Sequence, residues 1–143
     1  MTETPLCLLD TNTLSDLVRR PQGVVKQGIE RVGEDNVCTS IVVAAELRFG
    51  VAKRGSVALA AQVETVLGAL RVLPLDMPAD REYGRLRLHL GQARQPIGPN
   101  DLLIAAHALA LDATVITDNQ REFQRVPGLR VENWLQAKGP EAQ

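Results

Sequence analysis

The chain has 143 residues, the size of one ordinary domain, and 45% of them are hydrophobic, enough for a real core. Aromatics make up only 3%, so that core must be Leu, Val, Ile and Ala, and base stacking on an aromatic platform is excluded as a main mode of recognition. A net charge of −1 argues against a simple basic nucleic-acid binder.

The opening stretch MTETPLCLLD has no basic leader region, and its apolar run is too short for a secretion signal. No segment reaches the length of a membrane span. Cys7 and Cys38 sit in apolar, strand-like runs and read as buried reduced thiols rather than a disulfide framework. These features predict a soluble cytoplasmic protein.

Residues 6–9, LCLL, precede Asp10-Thr11-Asn12, which predicts a buried strand turning into a helix. Helical segments follow over 13–19 and 22–33, broken at Pro21 and ended near Gly33. Residues 36–40, NVCTS, predict a second strand with Thr39 and Ser40 as caps, then a helix over 41–53. Ser56 caps a helix over 56–69, and RVLPL (71–75) is a third strand ended by Pro74. A long helix spans 78–93. Gly98-Pro99 opens the next, running to about Leu111, because proline suits the first helical position. ATVIT (113–117) and LRVEN (129–133) are the last two strands. Short, continuous apolar strands separated by helices predict a mainly parallel sheet of four to five strands, covered on both faces: a three-layer α/β/α sandwich. One domain is expected over 1–135, with 136–143 a flexible tail.

Sites in open parallel sheets form at the carboxyl ends of strands. Asp10 follows strand one and Asp118 follows strand four, so the two carboxylates meet if those strands are neighbours. Asp101 lies in the first turn of its helix, where the dipole favours negative charge. That helix leads into strand four, which puts its N-terminus at the same edge. Glu46 shares a helix face with Val42, Val43 and Phe49, and a carboxylate on an apolar face needs a partner. Singly, Asp10 and Asp101 also suit helix caps and Asp118 a turn with Asn119. Glu46 has the weakest such explanation. Carboxylates gathered in one cleft repel, and Mg²⁺ or Mn²⁺ would offset this, activating water and stabilising charge on a phosphate. Setting five such acids aside leaves 12 against the 16 basic residues, a balance of +4 for the remaining chain.

These residues resemble the PIN-domain family, and within it the VapC toxins of bacterial toxin–antitoxin pairs, on the FitB-like branch. LLDTNTLSDL resembles the first motif, with Asp10 as the acid and Asn12 in support. SIVVAAELRFG resembles the second, with Glu46. The stretch from QPIGPNDLLIAAHALALDATVITDN to VENW resembles the third and fourth with the closing strand. The resemblance covers nearly the whole chain. It implies a PIN-like fold and a metal-dependent endoribonuclease cleaving phosphodiesters with metal-activated water, through one cation or two. It also implies inhibition by a small VapB-like antitoxin, contact with operator DNA only through that antitoxin, and a homodimer. The implied ligands to Mg²⁺ or Mn²⁺ are Asp10, Glu46 and Asp101, then Asp118. Relatives often carry Thr-Asn-Asn where this chain has Thr117-Asp118-Asn119. Glu122 is a further acid, direct or through water, and the Thr11 and Thr117 hydroxyls and Asn119 are supporting groups.

Arg81, Arg85 and His89 form one helical stripe, and Arg87 and Arg94 another face; each reads as phosphate contact or as a solvated surface. Arg48 and Arg121 flank motif acids and could touch RNA, touch antitoxin, or pair with those acids. His107 reads as a core histidine and Trp134 as packing for the C-terminus. The apolar excess of the 41–69 helices suits an antitoxin groove, a homodimer surface or ordinary core. Two rivals remain. A phosphatase with Asp10 as nucleophile lacks a second acid at Asn12, and a PIN-like binding module with a dead site fits poorly with the retained carboxylates.

Overall fold

The computed structural model describes residues 5–135; the tail expected over 136–143 lies outside them. Five strands, β1 (Cys7–Leu9), β2 (Val37–Ser40), β3 (Arg71–Leu73), β4 (Thr114–Ile116) and β5 (Arg130–Glu132), form one sheet in the order β3-β2-β1-β4-β5. Every pairing is parallel. The three inner strands are wholly buried, as their apolar runs require, while the edge strands β3 and β5 are partly exposed.

The helices are α1 (Thr11–Arg19), α2 (Val24–Val32), α3 (Ile41–Arg54), α4 (Val57–Ala69), α5 (Ala79–Gln92), α6 (Pro99–Leu111) and α7 (Gln120–Phe123). The chain steps outward from β1 to β3, then crosses back to β4. Right-handed crossovers therefore place α1–α4 on one face and α5–α7 on the other. The packing agrees: α1 meets α2, α3 and α4, and α6 meets α5 and α7. Ser40 and Ser56 cap their helices, accepting from Val42 N at 3.0 Å and Leu59 N at 3.1 Å.

Expected strands ran one or two residues too long. β3 stops at Leu73 because Pro74 cannot donate to a ladder. α7 was not expected; its four residues are anchored by Phe123, which is fully buried. Phe49 does not join Val43 in the core but is 68% exposed, and Val57 is 84% exposed. Part of the apolar excess of α3 and α4 therefore faces outward.

Candidate active site

Leu9 is in register with Thr39 on one side and Ile116 on the other. The residues that follow, Asp10, Ser40 and Thr117, therefore emerge together at the carboxyl edge. Asp10 N donates to Ile116 O at 2.9 Å and Thr13 Oγ1 to the same carbonyl at 2.9 Å, sealing the β1–β4 seam.

Asp10 is 3% exposed. It occupies the N-cap position of α1, yet its side chain makes no capping bond. Oδ2 accepts from Thr117 Oγ1 at 2.8 Å, and Oδ1 has no partner. Burial pushes this carboxyl above its ordinary range, and the charges of Glu46 and Asp118 push the same way.

Glu46 reaches the edge from the second turn of α3. Thr11 Oγ1 donates to its Oε1, and Asn100 Nδ2 donates to Oε2 at 2.9 Å. Asp101 comes from the first turn of α6 and accepts from Asn119 Nδ2 at 3.1 Å. Its pKa is pushed up to about 7, first by burial, then by the Asp10 charge, by a hydrogen bond and charge from Glu122, and by Glu46. Glu122 Oε1 also accepts from Gly98 N at 3.0 Å, tying α7 to the start of α6.

Asp118 stands further out: it is exposed, and Oδ1 accepts from Asn12 Nδ2 at 3.0 Å. The Thr117 hydroxyl also accepts from Asn119 N at 2.9 Å. Among the described residues no three His, Cys, Asp or Glu side chains are gathered tightly enough to enclose an ion as they stand. Several are turned onto neighbouring hydroxyls and amides instead. The donor set nonetheless suits a hard divalent cation: all oxygen, mutually repelling, with one buried carboxylate oxygen unsatisfied.

The arginines separate. Arg48 is turned from the acids and binds Glu64 of α4 through two bonds of 3.0 and 2.9 Å. Arg87 lies over Tyr83, 5.9 Å from the ring centre, and donates to its hydroxyl at 2.9 Å. Arg94 and Arg121 are exposed and form no ion pair among the described residues. His107 is 2% exposed; its Nδ1 meets Ser40 Oγ at 2.8 Å, and burial lowers its pKa.

Asn100 and Gly98 were missed as site groups. Asn100 read only as a helix start, because its hydrogen bond spans 54 residues of sequence. A cleft of about 280 Å³ runs beside Glu46 between α1, α3 and α4, lined in part by Arg19, Val51 and Arg54. A larger one, about 440 Å³, opens by Val37 and Arg71 at the strand starts, the wrong end for these acids.

The profile of the PIN domain family matches residues 7–129. The chain belongs to the PIN-domain family. Ribonuclease VapC2 of Rickettsia felis is 35% identical to this PIN domain over 129 residues, 89% of this chain and 96% of its own. The tRNA(fMet)-specific endonuclease VapC of Salmonella typhimurium is 33% identical over 132 residues, with the same two coverages of 89% and 96%. Rickettsia felis VapBC2, solved bound to a promoter DNA fragment, superposes with a TM-score of 0.82 at 34% identity, covering 90% of this chain and 98% of that one. FitAcB from Neisseria gonorrhoeae gives a TM-score of 0.78 at 28% identity, covering 92% and 100%. This is a VapC-type PIN domain.

Proposed function

We propose that this PIN domain is a metal-dependent endoribonuclease toxin held inactive by a small cognate antitoxin. The observation that carries the reading is Asp10, buried with one carboxylate oxygen unpartnered, beside an Asp101 whose pKa is raised by burial and then by its acidic neighbours. Burying a carboxylate without a partner is costly. Such an arrangement makes sense around a cation.

Asp10 and Asp101 would hold Mg²⁺ or Mn²⁺ with Glu46, and Asp118 and Glu122 would stand at the margin. Such an ion lowers the pKa of water and neutralises charge building on a phosphodiester. The chain's own groups set the geometry. Thr117 orients Asp10, Thr11 and Asn100 hold Glu46 from two sides, and Asn119 holds Asp101. Glu122 fixes the start of α6 through Gly98 N. The N-terminal dipole of α6 adds favourable potential for anionic groups at this edge.

The likeness to VapBC-5 of Mycobacterium tuberculosis, a member of the VapBC family of toxin–antitoxin systems, supports the partner assignment. The cleft beside Glu46 gives an antitoxin segment a path to the acids, and any operator contact would come from the antitoxin. A homodimer and a cytoplasmic site of action complete the reading; no helix among the described residues is long and apolar enough to cross a membrane.

The test is purified protein on total cellular RNA with Mn²⁺ or Mg²⁺, beside an EDTA control and Asp101→Ala purified identically. Discrete metal-dependent cuts that vanish in Asp101→Ala support the reading. Equal cutting by both proteins would place the chemistry elsewhere.

A further inference from the structure

α5 ends in a complete Schellman motif. Gln95 N donates to Leu90 O at 2.9 Å and Arg94 N to Gly91 O at 3.1 Å. The residue at the turn must be left-handed, a place glycine normally takes. Here it is Arg94, with φ 58°. The other left-handed positions among the described residues are Gly33, Gly55, Gly128 and Asp112, and Asp tolerates this conformation far better than arginine. A strained arginine with no ion pair is an outlier that points to function.

Its position supplies that function. Arg94 starts the short link from α5 to α6. Arg125 Nη1 donates to Pro96 O at 2.9 Å, fixing the middle of the link from the α7 side. Gly98, at its end, touches the site: a Cβ there would lie 3.8 Å from Glu122 Oε1 and 4.0 Å from Asp101 Oδ2. Arg87, about two turns back on α5, borders a groove with Pro96 and Pro99. Tyr83 holds its guanidinium by hydrogen bond and ring contact, leaving further N–H donors to spare.

We infer that Arg94, backed by Arg87, is a phosphate-docking rim that seats RNA against the α6 end of the acidic edge. The inference rests on the ribonuclease reading and extends it to the substrate path. Repelling carboxylates give a polyanion no purchase, so cationic groups must hold the backbone on either side of the cut. An exposed arginine fork on a fixed link provides that.

The test is binding of labelled bulk transfer RNA in EDTA across a salt series, with every protein carrying Asp101→Asn so that nothing is cut. Arg94→Gly separates function from folding, because glycine is the better residue at φ 58°. Its melting temperature should hold or rise. RNA binding should weaken several-fold, and the log–log salt slope should flatten by roughly 0.7–0.9, the loss of one phosphate contact. Arg94→Lys should restore most of the slope. Arg71→Gln, at the opposite end of the sheet, should change nothing. An unchanged slope in Arg94→Gly overturns the rim. So does a fall in melting temperature that accounts for the weaker binding. Loss of binding to a polyglutamate peptide with RNA binding intact would assign Arg94 to an acidic protein segment instead. A parent protein that binds no RNA either in EDTA or with Mn²⁺ restored would sink the ribonuclease reading and the rim together. Normal parent binding with an unaffected Arg94→Gly sinks the rim alone.

Discussion

Thr117 donates its hydroxyl to Asp10 Oδ2 at 2.8 Å, joining residues 107 apart in sequence across the β1–β4 seam. Among the described residues no other side chain donates to Asp10, whose Oδ1 is unpartnered, and the Thr11 backbone lends its carboxylate further support. Thr117→Val would therefore take from a buried carboxylate its one side-chain donor. The expected loss is about 1–3 kcal/mol of stability in the absence of metal, with RNA cleavage falling as well. Thr117→Ser should recover most of both. Urea denaturation and cleavage rates check it; a Val variant as stable and active as the parent would show that the bond does not hold Asp10.

Asp101 gives a pH prediction. Its ordinary value of 3.8 is raised to about 7 in the fold. The folded protein then keeps a proton that the unfolded chain has released. Its favourable contribution is fully present below about pH 3.8 and is lost as pH rises through about 7. His107 works oppositely, because burial lowers its pKa and its contribution is lost as pH falls. Comparing the parent with Asp101→Asn cancels that second effect. In EDTA, Asp101→Asn should melt higher than the parent by a margin that grows from pH 5 to pH 8, and added Mn²⁺ should narrow it. A constant margin would mean that burial and the neighbouring acids do not raise the Asp101 pKa.

Gly28 in α2 packs directly under Trp134. A Cβ there would lie 2.4 Å from Trp134 Cε3, closer than any real contact. Trp134 is 8% exposed, and Arg31 lies over its ring, 5.5 Å from the centre. Gly28→Ala must push the indole outward, at a cost of about 1–3 kcal/mol. Trp134 is the sole tryptophan, so its fluorescence reports both the displacement and the unfolding. An unshifted spectrum with unchanged stability would contradict this packing.

Much of this architecture was legible from residue order. The strands are short apolar runs and the helices announce themselves with Ser40, Ser56 and Gly98-Pro99, so the parallel sandwich follows from pattern and capping. The edge position of Asp10 and Asp101 follows from strand direction. What stayed hidden depends on facing. Arg48 sits two residues from Glu46, but two steps on a helix turn it about 200° away, onto Glu64. Phe49 is three residues on, yet no neighbouring element covers that position, so it remains in solvent. α7 is too short for any periodicity; buried Phe123 defines it. The amides of Asn100 and Asn119 could not be assigned to their carboxylates before α3, α6 and β4 were brought together.

Asn100 carries the last prediction. Its Nδ2 donates to Glu46 Oε2 at 2.9 Å while Thr11 holds Oε1, so the carboxylate is clamped between α6 and α1. Asn100 itself is exposed, so removing its side chain leaves no cavity. Asn100→Ala should leave the melting temperature nearly unchanged but cut kcat by about 10- to 100-fold, because a catalytic group slightly misplaced loses that much. The effect should disappear when Glu46 is already Gln, since both changes act through one carboxylate. Additive losses in the Asn100→Ala, Glu46→Gln double variant would show that Asn100 acts elsewhere, for example directly on RNA.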